Sequence, residues 1–123
     1  MQIFTGVCDK AYINRLIQKL KTILPHVKIL GSITDGEIYE EQVTKSKTVL
    51  SFMLFESTQI ITSYAKGKTS KAIAQNLIKN FEKSDDINLL ITFAEGLGIN
   101  GEEYIKIFSQ FNPNLTVARG ISR

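Results

Sequence analysis

Residues 3–33, IFTGVCDKAYINRLIQKLKTILPHVKILGSI, decide the fold class. Ile3 to Val7 is a short apolar run, and Asp9 stands where a helix cap is needed. Ala11, Ile13, Leu16, Ile17, Leu20, Ile23 and Leu24 then recur at spacings of three and four. That period lays an apolar stripe along a helix, with Asn14, Arg15, Gln18, Lys19 and Lys21 on the other side. Pro25 ends it, because proline lacks the N–H that a helix interior requires. Val27 to Ile33 reads as a second, buried strand, and Asp35-Gly36 as a turn. Two strands joined through a helix run parallel in one sheet, so the stretch predicts a β-α-β unit.

The remaining chain extends this pattern. Glu40 to Lys47 is polar and reads as a loop or a weak edge strand. Thr48 to Phe55 (TVLSFMLF) and Thr58 to Tyr64 (TQIITSY) are β-rich runs separated by Glu56-Ser57, a spacing that predicts an antiparallel hairpin. After Gly67, Thr69 or Ser70 caps a helix whose apolar stripe is Ile73, Ala74, Leu77, Ile78 and Phe81. Asp85-Asp86 breaks that pattern, and Ile87 to Phe93 (INLLITF) has the continuous apolar character of a strand covered on both faces. A third helix, from Gly101 to Gln110, is expected to bury Tyr104, Ile105, Ile107, Phe108 and Phe111. Pro113 closes it, and Leu115 to Ala118 forms a last strand. The expectation is a single α/β domain over residues 1–123, with a mixed β-sheet of parallel β-α-β units plus an antiparallel hairpin, flanked by about three helices.

Composition bounds the function. The chain has 123 residues, 43% of them hydrophobic, enough to bury a sizeable core and inconsistent with a disordered or collagen-like chain. Its 15 basic and 12 acidic residues leave a net charge of +3, and the densest basic group, Lys66, Lys68 and Lys71, lacks interleaved aromatic residues. Nucleic acid is therefore not an expected partner. No apolar run approaches the roughly 20 residues of a membrane helix, so no membrane insertion is expected. The start, Met1-Gln2-Ile3-Phe4-Thr5-Gly6, is not a secretory signal. A single cysteine, Cys8, fits a reducing, cytoplasmic location. With one histidine, His26, the chain cannot assemble a Cys/His metal cluster by itself.

Several motifs dissolve on inspection. Gly96-Leu97-Gly98-Ile99-Asn100-Gly101 matches G-x-G-x-x-G between a strand and a helix. A dinucleotide site also wants an acidic residue about 20 positions on, and none follows Glu103. Gly67-Lys68-Thr69 resembles the end of a phosphate-binding loop, but Thr62 stands where its first glycine belongs. Cys8 precedes a helix, yet a cysteine nucleophile needs a base, and His26 falls at the opposite end of the parallel unit. One constellation remains. Ligands of parallel sheets sit beyond the carboxyl ends of the strands. Thr5, Gly6, Gly31, Ser32, Thr34, Gly36, Glu37, Glu95 and Gly96 are delivered there, combining small residues, hydroxyls and two carboxylates suited to an amine or polar head group.

The block ILGSITDGEI, with Gly31-Ser32-Ile33-Thr34-Asp35-Gly36-Glu37-Ile38 at its heart, resembles the most specific motif of the FIST N-terminal domain family. IFTGVCDKAYINRLIQKLKTILPHVK, TVLSFMLFESTQI and ITFAEGLGINGEEYIKIFSQFNPNLTVARGIS resemble other stretches of that family, in the same order, so the likeness spans nearly the whole chain. The resemblance implies a sensory module of a cytoplasmic signal-transduction protein, binding a small polar ligand such as an amino acid or derivative. It also implies an output signalling domain in the parent chain, of which this would be a truncated part with Met1 as an added start; Arg119 stands where the family tends to have glycine. It carries over Gly31, Ser32, Thr34, Gly36 and Glu37 as the motif block, and Glu95 and Gly96 more loosely. No cofactor is expected, but some members bind haem, which makes a nitric oxide sensor with His26 as ligand the alternative. A small hydrolase or transferase using Cys8 or Glu37 is a third reading, and a homodimer or scaffold a fourth.

Overall fold

The computed structural model describes residues 1–81, 87–95 and 98–122. Its elements are, in order, β1 (Gln2–Thr5), α1 (Lys10–Ile23), β2 (Leu30–Ile33), β3 (Glu37–Tyr39), β4 (Gln42–Thr44) and β5 (Thr48–Ser51). They are followed by α2 (Ser70–Phe81), β6 (Leu89–Glu95), α3 (Gly101–Phe111) and β7 (Thr116–Ser122). Helices thus alternate with parallel and antiparallel ladders, the expected α/β class. The chain divides into two compact units, Met1–Thr62 and Ser63–Ser122.

In the first unit β1 is the central strand of the order β2-β1-β5. It runs parallel to β2, with Thr5 opposite Ile33, and antiparallel to β5, with Thr5 opposite Thr48. Helix α1 starts where Asp9 accepts from the backbone N–H groups of Ala11 at 2.8 Å and Tyr12 at 3.4 Å. Leu24 closes it, its N–H donating to the carbonyl of Leu20, one residue before Pro25. The apolar stripe of α1 is present but no residue of the helix is fully buried; Tyr12, Ile13, Leu16, Ile17 and Leu20 are half-buried. Met1 and Ile3 form the small apolar centre of this unit.

The antiparallel hairpin is not where the β-rich runs placed it. Only Thr48–Ser51 of the first run enters a ladder, and its partner is β1; Thr58 to Tyr64 carries no ladder. Strand propensity describes a fit to a pleated, half-covered surface, and these residues find no such surface among the described residues. Leu54 is 99% exposed and Phe52 60%. The hairpin forms instead between β3 and β4, within the polar stretch, through Glu40 and Glu41. Both have positive φ, 48° and 63°, the pattern of a two-residue primed turn whose twist suits a hairpin.

The second unit contains the larger core. Ala74, Phe81, Tyr104, Phe108 and Leu115 are buried together, with Leu77, Leu90 and Val117 packed against them. Tyr104 and Phe108 meet edge to face at 5.0 Å, a geometry favoured by the ring quadrupoles. Thr69 caps α2 by accepting from the N–H of Ala72, and Asn100 caps α3 by accepting from the N–H groups of Glu102 and Glu103. Strands β6 and β7 pair in parallel from Leu89 with Thr116 to Glu95 with Ser122. The expectation that INLLITF is covered on both faces does not hold: Thr92 is buried, whereas Leu89 is 55% exposed. Leu90 packs against the helical core, and Ile91 and Phe93 on the other face are half-buried. Ile105 is likewise exposed, lying off the stripe of Tyr104 and Phe108, whereas Phe111, at the last turn of α3, is 42% exposed yet still meets Phe81 of α2 edge to face at 6.0 Å. The Asp85-Asp86 break lies outside the described residues.

Candidate functional site

The carboxyl ends of β1 and β2 gather a polar cluster around one carboxylate. Thr5 is the last residue of β1 and is buried. Its hydroxyl lies 2.7 Å from that of Thr48, donates to the carbonyl of Lys47 at 3.2 Å, and accepts from the N–H of Val7 at 3.1 Å. The phenol of Tyr12, from the first turn of α1, lies 3.1 Å from the Thr48 hydroxyl. A string of hydroxyls thus runs from the helix across the ends of β5 and β1.

Glu37 opens β3 and is only 3% exposed. Its Oε1 accepts from the Thr34 hydroxyl at 2.7 Å, and its Oε2 from the backbone N–H of Lys47 at 3.2 Å. The peptide units of Lys47 join the two halves of the cluster, since its carbonyl also accepts from the N–H of Gly6 at 3.0 Å. The backbone N–H of Thr34 donates to the carbonyl of Thr5 at 2.9 Å, holding the Thr34–Glu37 loop over the end of β1. Gly6 is required by close approach. A β-carbon there would stand 2.9 Å from the Ser46 nitrogen and 3.0 Å from Glu37 Oε1. Ser46 itself has φ of 57°, so the 45–47 loop bends sharply to bring its amide onto the carboxylate.

Of the residues expected at the site, Thr5, Gly6, Thr34 and Glu37 come together. Gly36 adjoins them, packed against the carbonyl of Thr44. Gly31 and Ser32 lie within β2 rather than in the loop beyond it, opposite Ile3 and Phe4. Gly31 has no room for a side chain, because a β-carbon there would overlap the carbonyl of Ile3. The Ser32 hydroxyl donates to the carbonyl of Ile33 at 3.0 Å. Glu95 is the last residue of β6, in the other unit; its side chain, and Gly96 altogether, lie outside the described residues. Sequence reasoning missed Tyr12, Lys47 and Thr48. Thr48 begins the strand that pairs with β1, and only the register reveals that it faces Thr5.

The other candidates stay apart. Cys8 is exposed beyond the carboxyl end of β1, and His26 is exposed before the amino end of β2, so the two do not meet across the parallel pair. His26 is exposed, as are Leu24 and Pro25 before it, so the described residues beside it do not fit haem, whose distal side the protein must enclose. Among the described residues no group of three His, Cys, Asp or Glu side chains could hold a metal ion. No helix among them is long and apolar enough to cross a membrane.

Together these features define an α/β module with a polar cluster around a buried carboxylate at the strand ends of its first unit. Comparison with known families gives it a place. The family model described as FIST N domain matches residues 1–120. The chain belongs to the FIST N domain family, a family of sensory domains in signal transduction. No curated protein and no solved structure matches it significantly.

Proposed function

We propose that this domain is a non-catalytic sensor that binds a small molecule carrying an ammonium group, an amino acid or a derivative, with Glu37 as its counter-charge. One observation carries the reading. The Glu37 carboxylate is withdrawn from water, yet no lysine or arginine among the described residues pairs with it. A buried carboxylate without a cation is costly. It also keeps unused capacity: an ionised carboxylate offers about four lone-pair sites, and among the described residues one hydrogen bond falls on each oxygen. An ammonium group would supply the missing charge and fill the remaining sites. The hydroxyls of Thr5, Thr34 and Thr48 are the neighbouring polar groups suited to orient it.

Because Glu37 is enclosed, entry requires the Thr34–Glu37 and Lys45–Lys47 loops to part. A ligand with higher affinity for the parted arrangement shifts the population toward it, and an output signalling domain in a parent chain reads that shift. Catalysis by Glu37 or Cys8 is not part of this reading, since neither has a titratable partner in hydrogen-bond contact among the described residues. The test is a titration of amino acids into the ¹⁵N-labelled protein. Amide shifts concentrated in Ser32 to Glu37 and at Lys47 are expected. Saturable shifts confined elsewhere contradict the assignment of the site.

A further inference from the structure

The β6–α3–β7 unit carries a second polar cluster, separate from Glu37. Arg119 in β7 pairs with Thr92 in β6, so the two side chains leave the same face of the ladder. Thr92 is buried, and its hydroxyl lies 2.8 Å from the phenol of Tyr104 on α3. The guanidinium of Arg119 reaches the amino end of α3, where a β-carbon at Gly101 would overlap its Nη1. Glycine at 101 is thus the space the arginine fills.

Among the described residues the charge placed there is uncompensated: Nε of Arg119 is shut off from solvent and has no hydrogen-bond partner among them. The amino end of a helix carries a partial positive charge, so the guanidinium faces a pole of its own sign. Glu102 and Glu103, in the first turn of α3, are exposed and form no ion pair with Arg119. A desolvated donor left unpaired is costly, and a cation held against a helix amino end more so. An anion would relieve both. Parallel strands also take their ligands at this end, beyond their carboxyl termini.

We propose that Arg119 anchors an oxyanion-binding site at the carboxyl end of the β6–α3–β7 unit, taking the carboxylate or phosphate group of a small molecule. This site stands independently of the Glu37 reading, and either can fail alone.

The test uses the full ¹⁵N-labelled chain, titrated separately with sodium acetate and sodium phosphate against sodium chloride at matched ionic strength. Saturable movement of the Arg119 Nε–Hε resonance and the Gly101 amide is expected with at least one of the two, and which one saturates distinguishes carboxylate from phosphate. Arg119→Gln should weaken that binding by about tenfold or more, the usual scale for a charge-assisted hydrogen bond. A second readout is the Tyr104 phenol: burial pushes its pKa up while the Arg119 charge pulls it down. A bound anion cancels that pull, so the Tyr104 pKa should rise on saturation. The proposal is overturned if the Arg119 resonance moves no further in acetate or phosphate than in chloride. It is also overturned if saturable binding survives unchanged in Arg119→Gln. Should that variant not fold, the wild-type Arg119 resonance decides alone.

Discussion

Replacing Glu37 by glutamine and by alanine separates two roles that the buried carboxylate combines. As a clamp, it accepts from the Thr34 hydroxyl and from the Lys47 N–H, tying the loop before β3 to the loop before β5. Hydrogen bonds to a charged group contribute about 1.5–3 kcal/mol each. Alanine removes both acceptors but also removes the cost of burying a carboxylate, which offsets part of the loss. A net destabilisation of about 2–4 kcal/mol is expected for Glu37→Ala. Glutamine keeps the shape. Its Oε1 can accept from Lys47 while its Nε2 donates to Thr34, because a hydroxyl both donates and accepts. Glu37→Gln should therefore stay within about 1 kcal/mol of the parent. Urea unfolding at equilibrium, followed by circular dichroism, measures both variants on one scale. If glutamine costs as much as alanine, the charge rather than the two bonds holds the loops, and the clamp argument is refuted. If alanine costs nothing, the loops are held by other contacts.

Three further outcomes follow from the packing and the turns. Phe108 is fully buried between α2 and Tyr104, so Phe108→Ala should cost about 3–5 kcal/mol in the same urea assay; a loss below about 1 kcal/mol would mean that the core closes over the cavity. Glu40 and Glu41 occupy left-handed backbone at φ of 48° and 63°, which asparagine and glycine adopt more readily. Glu40→Asn with Glu41→Gly should stabilise the protein by about 1 kcal/mol, and a destabilised double variant would contradict the turn geometry. Burial raises the Tyr104 pKa above its ordinary 10.0 despite the Thr92 hydrogen bond and the Arg119 charge. The folded state then holds the phenolic proton more tightly than the unfolded state, so this contribution is complete below pH 10 and is lost as pH rises through the higher folded value. Tyr104→Phe should flatten the alkaline fall in stability, while losing at neutral pH the hydrogen bond to Thr92.

What the sequence disclosed depended on whether the signal was local. The β-α-β unit was legible because Asp9, the apolar stripe of α1 and Pro25 are adjacent cues, each with its own mechanism. The α2 and α3 stripes were legible for the same reason, and Ala74, Phe81, Tyr104 and Phe108 do form the core they predicted. The hairpin was misplaced because propensity marks which residues suit a strand, not which find a partner. TQIITSY has the right composition and no ladder, whereas the β3–β4 pair forms around two glutamates that no turn rule would choose. In the candidate site, Thr5, Thr34 and Glu37 were found through the loop rule for parallel strands. Tyr12, Lys47 and Thr48 were not, because their contacts with Thr5 and with each other depend on register and span 36 to 43 residues of sequence, and the Lys47 N–H reaches Glu37 through backbone that no side-chain motif marks. Gly31 and Ser32 looked like loop residues but serve the strand, one by allowing β1 to approach and one by bonding its neighbour's carbonyl.

The central claim is that a ligand's ammonium group completes the Glu37 cluster. A thermal-shift screen of amino acids and related amines, run on the parent and on Glu37→Gln side by side, tests it most directly. A ligand at 100 times its dissociation constant stabilises the folded state by about 2.7 kcal/mol, well within reach of the method. The account predicts at least one amine-bearing compound that stabilises the parent and not Glu37→Gln. Equal stabilisation of both proteins, or none of the parent by any compound with an ammonium group, would contradict it.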